Sequence, residues 1–406
     1  MKALVLAVFA AAFVYRLFLN RLSARSMRNP MPANVADVYD ENAYRKWKSY
    51  KSERLRFDVL TESVTFVVEL LLLLFNVHAA FAALFPAGWF FQAFAVVLLE
   101  SLAGLLLLPL SYYDTMHIEE KYGFNRSTRK TFAADQAKEF LISLLVMTGI
   151  AGILGFLHLW LGDRLIAVFA LVMFLLVLLI SFLYPYFSRI FNRFTDLEDG
   201  ELKEKLTALL TKHGFQVRAI QVMDASRRTS RSNAYFTGFG KTKTIVLYDT
   251  LVEAMTPDEI CAVFAHEMGH GLHRDTLKNQ ALSVVQITVL AVMAWLVVRT
   301  DAFFTGFGFS SVNYGFALFL ISTGFSLISP LWGLLTGWRS RLAEYAADAQ
   351  AVEEGYGDTL IAALKKLARE NLSDLSPSPL LVKLEYSHPT LSQRICAIEK
   401  RTRGTA

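Results

Sequence analysis

His266-Glu267-Met268-Gly269-His270 is the stretch of this 406-residue chain whose residue types and spacing most directly imply chemistry. On an α-helix, positions i and i+4 lie on one face, a turn apart. Two imidazoles so placed can bind one Zn2+, and the Glu between them can take a proton from a water held beside the ion. The helix is predicted independently. Thr256-Pro257-Asp258-Glu259 reads as a capping box, with Thr256 as N-cap, Pro257 at the first helical position and Glu259 three after the cap. Ile260, Val263, Phe264 and Leu272 then recur at helical spacing. The plain alternative is a surface helix with two solvated histidines.

A hydrolytic zinc site uses three protein ligands and keeps a position open for water. The run Arg341-Leu342-Ala343-Glu344-Tyr345-Ala346-Ala347-Asp348 can supply the third. Glu344 and Asp348 share a helical face. Glu344 would ligate the metal, and Asp348 would accept a hydrogen bond from the far nitrogen of a ligand histidine, fixing its tautomer. Arg341, one turn before Glu344, could hold a carboxylate. Charges at such spacing also form solvated stripes on ordinary helices, so the run alone leaves both readings open.

These elements must be placed by a chain that is 54% hydrophobic and 19% charged, against about 25% charged in soluble domains. That composition excludes intrinsic disorder. Two cysteines, Cys261 and Cys396, exclude a disulfide scaffold and any site needing several thiolates. Seven apolar stretches, near 3–20, 59–84, 89–110, 140–161, 165–187, 281–299 and 313–336, are long enough for membrane helices. Nine Lys or Arg follow the first stretch and five follow the third, while the even-numbered loops are nearly free of them. Basic loops stay cytoplasmic. The N-terminus is therefore expected outside, as an uncleaved anchor, with the C-terminus inside. The net charge of +5 is explained by this sorting, and nothing interleaves aromatic and basic residues as nucleic-acid binding would. The predicted organisation is membrane helices one to five over 1–187, the first part of a cytoplasmic protease domain over 188–280, helices six and seven over 281–336, and the rest of the protease domain over 337–406.

Five blocks in order carry a resemblance. They are the His266–His270 motif, Ser340 through Asp348, Tyr386-Ser387-His388-Pro389-Thr390-Leu391-Ser392-Gln393-Arg394, Ile118 through Thr128, and Asp224 through Leu251. Together they resemble the integral-membrane zinc metalloproteases of the type I CAAX prenyl protease family (peptidase family M48). The resemblance implies a mainly α, polytopic membrane protein with seven transmembrane helices. It also implies a zincin-like HExxH protease domain containing a small β-hairpin. It makes His266, His270 and Glu344 the ligands of one Zn2+ and Glu267 the general base. It gives His388 a hydrogen bond to the oxyanion, and Arg394 either the same region or the substrate's C-terminal carboxylate. The segment Asn233-Ala234-Tyr235-Phe236 reads as a strand paired with Ile245-Val246-Leu247-Tyr248 across Gly238-Phe239-Gly240-Lys241. In the family this edge binds the substrate backbone as an added strand, which makes Asn233, Ala234 and Tyr235 substrate-binding candidates.

One departure stands out. Members of the family often have His five positions after the second zinc His, where this chain has Asp275, which can still accept a hydrogen bond from a ligand. Glu69, Asn76, His78, Glu100 and Gln286 lie within the apolar stretches and are costly against lipid. Glu69 is expected on the wall of the enclosed chamber that the resemblance implies, and His78 and Glu100 at span ends, reaching the interface. The expected substrate is a peptide or the C-terminus of a prenylated protein, in the endoplasmic reticulum or a bacterial inner membrane. The other readings are a heat-shock-type quality-control metalloprotease and a non-catalytic membrane receptor on the same scaffold.

Overall fold

The computed structural model describes residues 1–214, 218–237 and 244–404. It is mainly helical. Long helices α1 (Lys2–Ser26) and α2 (Glu41–Leu74) lead to short α3 (Val77–Ala82), then α4 (Trp89–Leu106), short α5 (Leu108–Tyr113), α6 (Arg129–Leu161) and α7 (Leu165–Phe191). A second region starts with strand β1 (Phe194–Asp196), α8 (Glu201–Lys212), β2 (Ala219–Met223), β3 (Ala234–Thr237), β4 (Thr244–Tyr248), α9 (Asp249–Ala254) and α10 (Pro257–Leu272). The chain returns to the bundle through α11 (Asp275–Val298), α12 (Ala302–Thr305) and α13 (Tyr314–Glu353), and ends in α14 (Gly357–Glu370), α15 (Pro379–Glu385) and α16 (Leu391–Gly404).

Six described helices, α1, α4, α6, α7, α11 and α13, are long and apolar enough to cross a membrane. Their outward Leu, Phe and Trp side chains, such as Leu106, Leu145, Trp160 and Leu331, are exposed, as lipid-facing residues are. The expected second stretch is the exception. Its apolar run carries Glu62 and Glu69 and is cut where α2 ends and α3 begins, at Asn76 with φ 55°. His78 and Glu100, expected at the interface, instead meet inside the bundle.

The expected divisions at 280/281 and 336/337 fall inside α11 and α13. α13 has 40 residues, about 60 Å at 1.5 Å per residue. Its first half packs in the bundle, and its second half carries Glu344 and Asp348 against α10. The metal-ligand candidates thus sit on a rigid extension of a membrane helix.

The sheet has the order β1-β2-β4-β3. β2 and β4 pair in parallel, and β1 and β3 flank them antiparallel. Ile245, Val246 and Leu247 of β4 are buried, as a strand covered on both faces should be. β3 pairs with β4 as expected, while the Gly238–Lys241 turn lies outside the described residues. The segment before β3 is braced by the 118–128 block: Arg231 contacts Glu119 Oε2 at 3.0 Å, and Ser230 N donates to Phe124 O.

α10 begins where the sequence predicts. Glu259 N donates to Thr256 Oγ1 at 3.3 Å, and Thr256 N donates to Glu259 Oε2 at 2.9 Å, a reciprocal cap that contributes about 1 kcal/mol. Between the two histidines, Gly269 lies directly on the α13 backbone. A Cβ added there would stand 2.8 Å from Ala347 Cα and 3.1 Å from Gln350 Cβ. Neither atom can swing aside, so Gly269→Ala must push α10 off α13 and cost about 1–3 kcal/mol. Calorimetry of the purified protein is expected to show its unfolding midpoint lowered by roughly 1–4 °C, with metal content reduced; an unchanged midpoint would contradict the close approach.

Candidate metal centre and active site

The last two turns of α10 present His266 and His270 toward Glu344 on α13. His266 Nε2 lies 3.5 Å from Glu344 Oε2, and His270 Nε2 lies 3.3 Å from Glu344 Oε1. Ligand atoms about 2.0–2.2 Å from a tetrahedral Zn2+ stand roughly 3.4 Å apart. Each histidine thus meets one Glu344 oxygen near that spacing, and one donor from each of the three residues lies within 4.8 Å of the others. Glu344 Oε2 is buried and has no hydrogen-bond partner among the described residues, an arrangement that costs free energy unless a cation takes the lone pair.

The opposite ring nitrogens are held. Asp348 Oδ1 lies 2.9 Å from His266 Nδ1, and Asp275 Oδ2 lies 3.1 Å from His270 Nδ1. Carboxylates so placed favour the Nδ1–H tautomer and would leave Nε2 as the donor to a metal. Asp275 reaches His270 because Arg274 adopts a left-handed conformation, φ 55°, that turns the chain from α10 into α11.

Electrostatics follow from burial. Burial opposes ionisation of Asp348, but hydrogen bonds from His266 and Arg394 outweigh it and hold the carboxyl at about 2. Glu344 is likewise lowered, because His270, His266 and Arg394 overcome its burial. Burial pushes Glu267 above the usual carboxylate range, against the pull of His266 and His270. That shift brings it toward the range useful for a general base near neutrality. Burial lowers His270, yet Glu344 and Asp275 raise it to about 9 in the metal-free chain.

Arg394, expected near the oxyanion or the substrate's carboxylate, is engaged within the site. Its guanidinium grips both oxygens of Asp348, Nε to Oδ2 at 2.9 Å and a terminal nitrogen to Oδ1 at 2.6 Å. It also lies 3.5 Å from Glu344 Oε2. Arg341, which could hold a carboxylate, donates among the described residues to the carbonyls of Val382 and Tyr386 at 3.1 and 2.6 Å. It thereby anchors the turn after α15 that carries His388. The His388 ring is exposed, with Nε2 3.3 Å from Glu344 Oε1 and Nδ1 2.8 Å from Ser387 Oγ. Ser387, not singled out in the sequence, fixes this ring; its only signal there is adjacency to His388. Ser387 also borders a cavity of about 410 Å³ lined by Tyr15, Asn279, Pro330, Gly337 and Leu384.

β3 is the sheet edge nearest α10. Tyr248 N donates to Asn233 O, and Tyr235 is registered with Val246. Backbone groups of an antiparallel strand alternate between inward and outward pairs. Asn233 and Tyr235 therefore turn their backbone toward β4, and Ala234 and Phe236 face the open edge. Of the three substrate candidates only Ala234 turns its backbone that way, with its N–H held by Asn233 Oδ1 at 2.9 Å, and Phe236, unmarked in the sequence reading, joins it.

Two family models cover nearly the whole chain: "CAAX prenyl protease N-terminal, five membrane helices" over residues 20–193 and "Peptidase family M48" over residues 196–402. The chain belongs to peptidase family M48. A CAAX prenyl protease 1 homolog of Arabidopsis thaliana is 31% identical, covering 97% of this chain and 96% of its own. The CAAX prenyl protease 1 of Saccharomyces cerevisiae is 32% identical, covering 91% of this chain and 88% of its own. The crystal structure of S. mikatae Ste24p superposes with a TM-score of 0.91 at 27% identity, over 98% of this chain and 99% of that one. This M48 chain is an integral, multi-pass membrane metalloprotease. A metal is implied by the family, and the spacing of the three donors and the orphaned Glu344 oxygen fit one.

Metal must displace the proton that His270 holds up to about pH 9. Affinity is therefore expected to fall as pH drops below that value, by up to about tenfold per unit. Competition against a chelator of known proton affinity, between about pH 6.5 and 8.5, checks this; a flat profile would contradict the assignment of His270.

Proposed function

We propose that this M48 protease is a zinc endopeptidase that cuts near the C-terminus of prenylated proteins, with His266, His270 and Glu344 holding one Zn2+. The observation that carries the reading is the convergence of these three donors around the unsatisfied Glu344 oxygen, with Glu267 beside them. Bound there, Zn2+ would supply Lewis-acid activation of water at neutral pH. Glu267 accepts the proton of the attacking water and returns it to the leaving amine. The His388 ring, exposed at the rim and oriented by Ser387, donates to the oxyanion that develops on the scissile carbonyl. Arg394 is a positioning residue: it fixes Asp348, which fixes His266.

The prenylated substrate is supported by the names of the relatives, CAAX prenyl protease 1 and its homologs. In this reading, α2 and α3 form a seventh, broken span. The basic loops support an active site facing the cytoplasm, with the N-terminus on the other side. The peptide lies along β3 as an added strand, pairing with the outward groups of Ala234 and Phe236 and displacing the Asn233 side chain from the Ala234 N–H.

On the purified enzyme, Glu267→Gln is expected to keep its zinc and lose at least about 100-fold in kcat on a farnesylated C-terminal peptide. Full activity in that variant would sink the mechanism, and equal cleavage of the unmodified peptide would favour a quality-control protease. Ala234→Pro removes the edge N–H. Its KM is expected to rise at unchanged zinc content, whereas an unchanged KM would remove β3 from substrate binding.

A further inference from the structure

Glu69 on α2, His78 on α3 and Glu100 on α4 take no part in the hydrolysis described above, yet they converge inside the bundle. One donor atom from each lies within 4.8 Å of the others. His78 Nε2 is 2.5 Å from Glu100 Oε1, a direct hydrogen bond tighter than the spacing of two ligands on one ion, which a bound metal would open. The histidine is 1% exposed and packs on the rings of Phe316 and Phe319. Glu69 Oε2 and His78 Nδ1 are buried with no hydrogen-bond partner among the described residues.

Sequence proximity does not produce this convergence. Glu69 and His78 are nine positions apart, which on a continuous α-helix would be opposite faces about 13.5 Å apart along the axis. They meet because the helix breaks at Asn76, whose φ of 55° is left-handed, a conformation costing roughly 1–2 kcal/mol for a residue with a Cβ. Lys2 Nζ stabilises the break by donating to Leu74 O at 3.0 Å and Asn76 Oδ1 at 2.7 Å. Broken helices at membrane depth recur where backbone and side chains line a binding site.

Charge completes the argument. Among the described residues, the one ion-pair partner of these carboxylates is His78, on Glu100. Two carboxylates beside a neutral imidazole leave two negative charges among apolar helices, which is costly. A single divalent cation cancels both.

We propose that Glu69, His78 and Glu100 form a second, intramembrane site for a divalent first-row metal, which clips α2, α3 and α4 together. One imidazole and two carboxylates match Zn2+ best. The rival neutral state, with protons on His78 and one Glu, holds no metal.

The site is independent of the protease reading, and the test keeps the two apart. The full chain, in lipid nanodiscs, is equilibrated with Zn2+, washed, and its metal counted by mass spectrometry. Wild type is expected to hold two Zn2+ per chain, His266→Ala one, the isosteric Glu69→Gln/Glu100→Gln variant one, and their combination none. In His266→Ala alone, Co2+ in place of Zn2+ is expected to give visible d–d absorption, a readout that leaves the cluster untouched. One Zn2+ per wild-type chain that His266→Ala removes would overturn the proposal. So would a second Zn2+ that survives Glu69→Gln/Glu100→Gln, or a colourless Co2+ sample.

Discussion

Two carboxylates one turn apart on the same helix, Glu344 and Asp348, are 4% and 1% exposed, and the rest of the site is organised by what that burial demands. Unpaired charges in a low-dielectric interior are not tolerated. Asp348 is satisfied by both the Arg394 fork and His266. Glu344 is left with one oxygen unbonded. With Glu267 ionised and both histidines neutral, as ligands must be, three negative charges face the positive charge of Arg394, and a divalent cation would balance the remainder. Burial that would be a liability in an ordinary helix pair thus becomes the condition for metal affinity.

That demand propagates outward through rigid elements. α10 can bring its histidines to Glu344 only because Gly269 lets two backbones touch. The carboxylates keep their register because they ride on the same 40-residue helix that packs in the membrane bundle. Arg341, one turn before Glu344, ties the His388 turn to that helix through two carbonyls. The site is therefore fixed to the bundle on two sides, and β3 runs along a third. A rigid, pre-placed set of donors is what peptide hydrolysis by activated water needs.

What could be read in the sequence was local. The α10 helix, its cap and the spacing of its histidines depend on neighbours within one or two turns, so pattern alone revealed them. Glu344 and Asp348 were readable as one face but not distinguishable from a solvated stripe, because burial is a property of the partner helix. The partners of Arg394 and Arg341 could not be read, since which acceptor an arginine finds depends on elements 46 and 45 positions away. The strand at 233–236 was legible as the hairpin partner of 245–248, but which of its groups face outward depends on its register with β4. The second membrane stretch hid its break for a physical reason: hydropathy averages over it, and one left-handed residue, Asn76, decides that Glu69 and His78 meet. An Asn inside an apolar run was the available clue, because Asn tolerates that conformation better than most residues with a Cβ.

The most direct test of the central claim is an anomalous-scattering map at the zinc edge from crystals of the metal-loaded enzyme. A peak is expected within about 2.0–2.2 Å of His266 Nε2, His270 Nε2 and a Glu344 oxygen, with Asp348 and Asp275 still on the far ring nitrogens. A peak that excludes Glu344, or none between α10 and α13, would contradict the account.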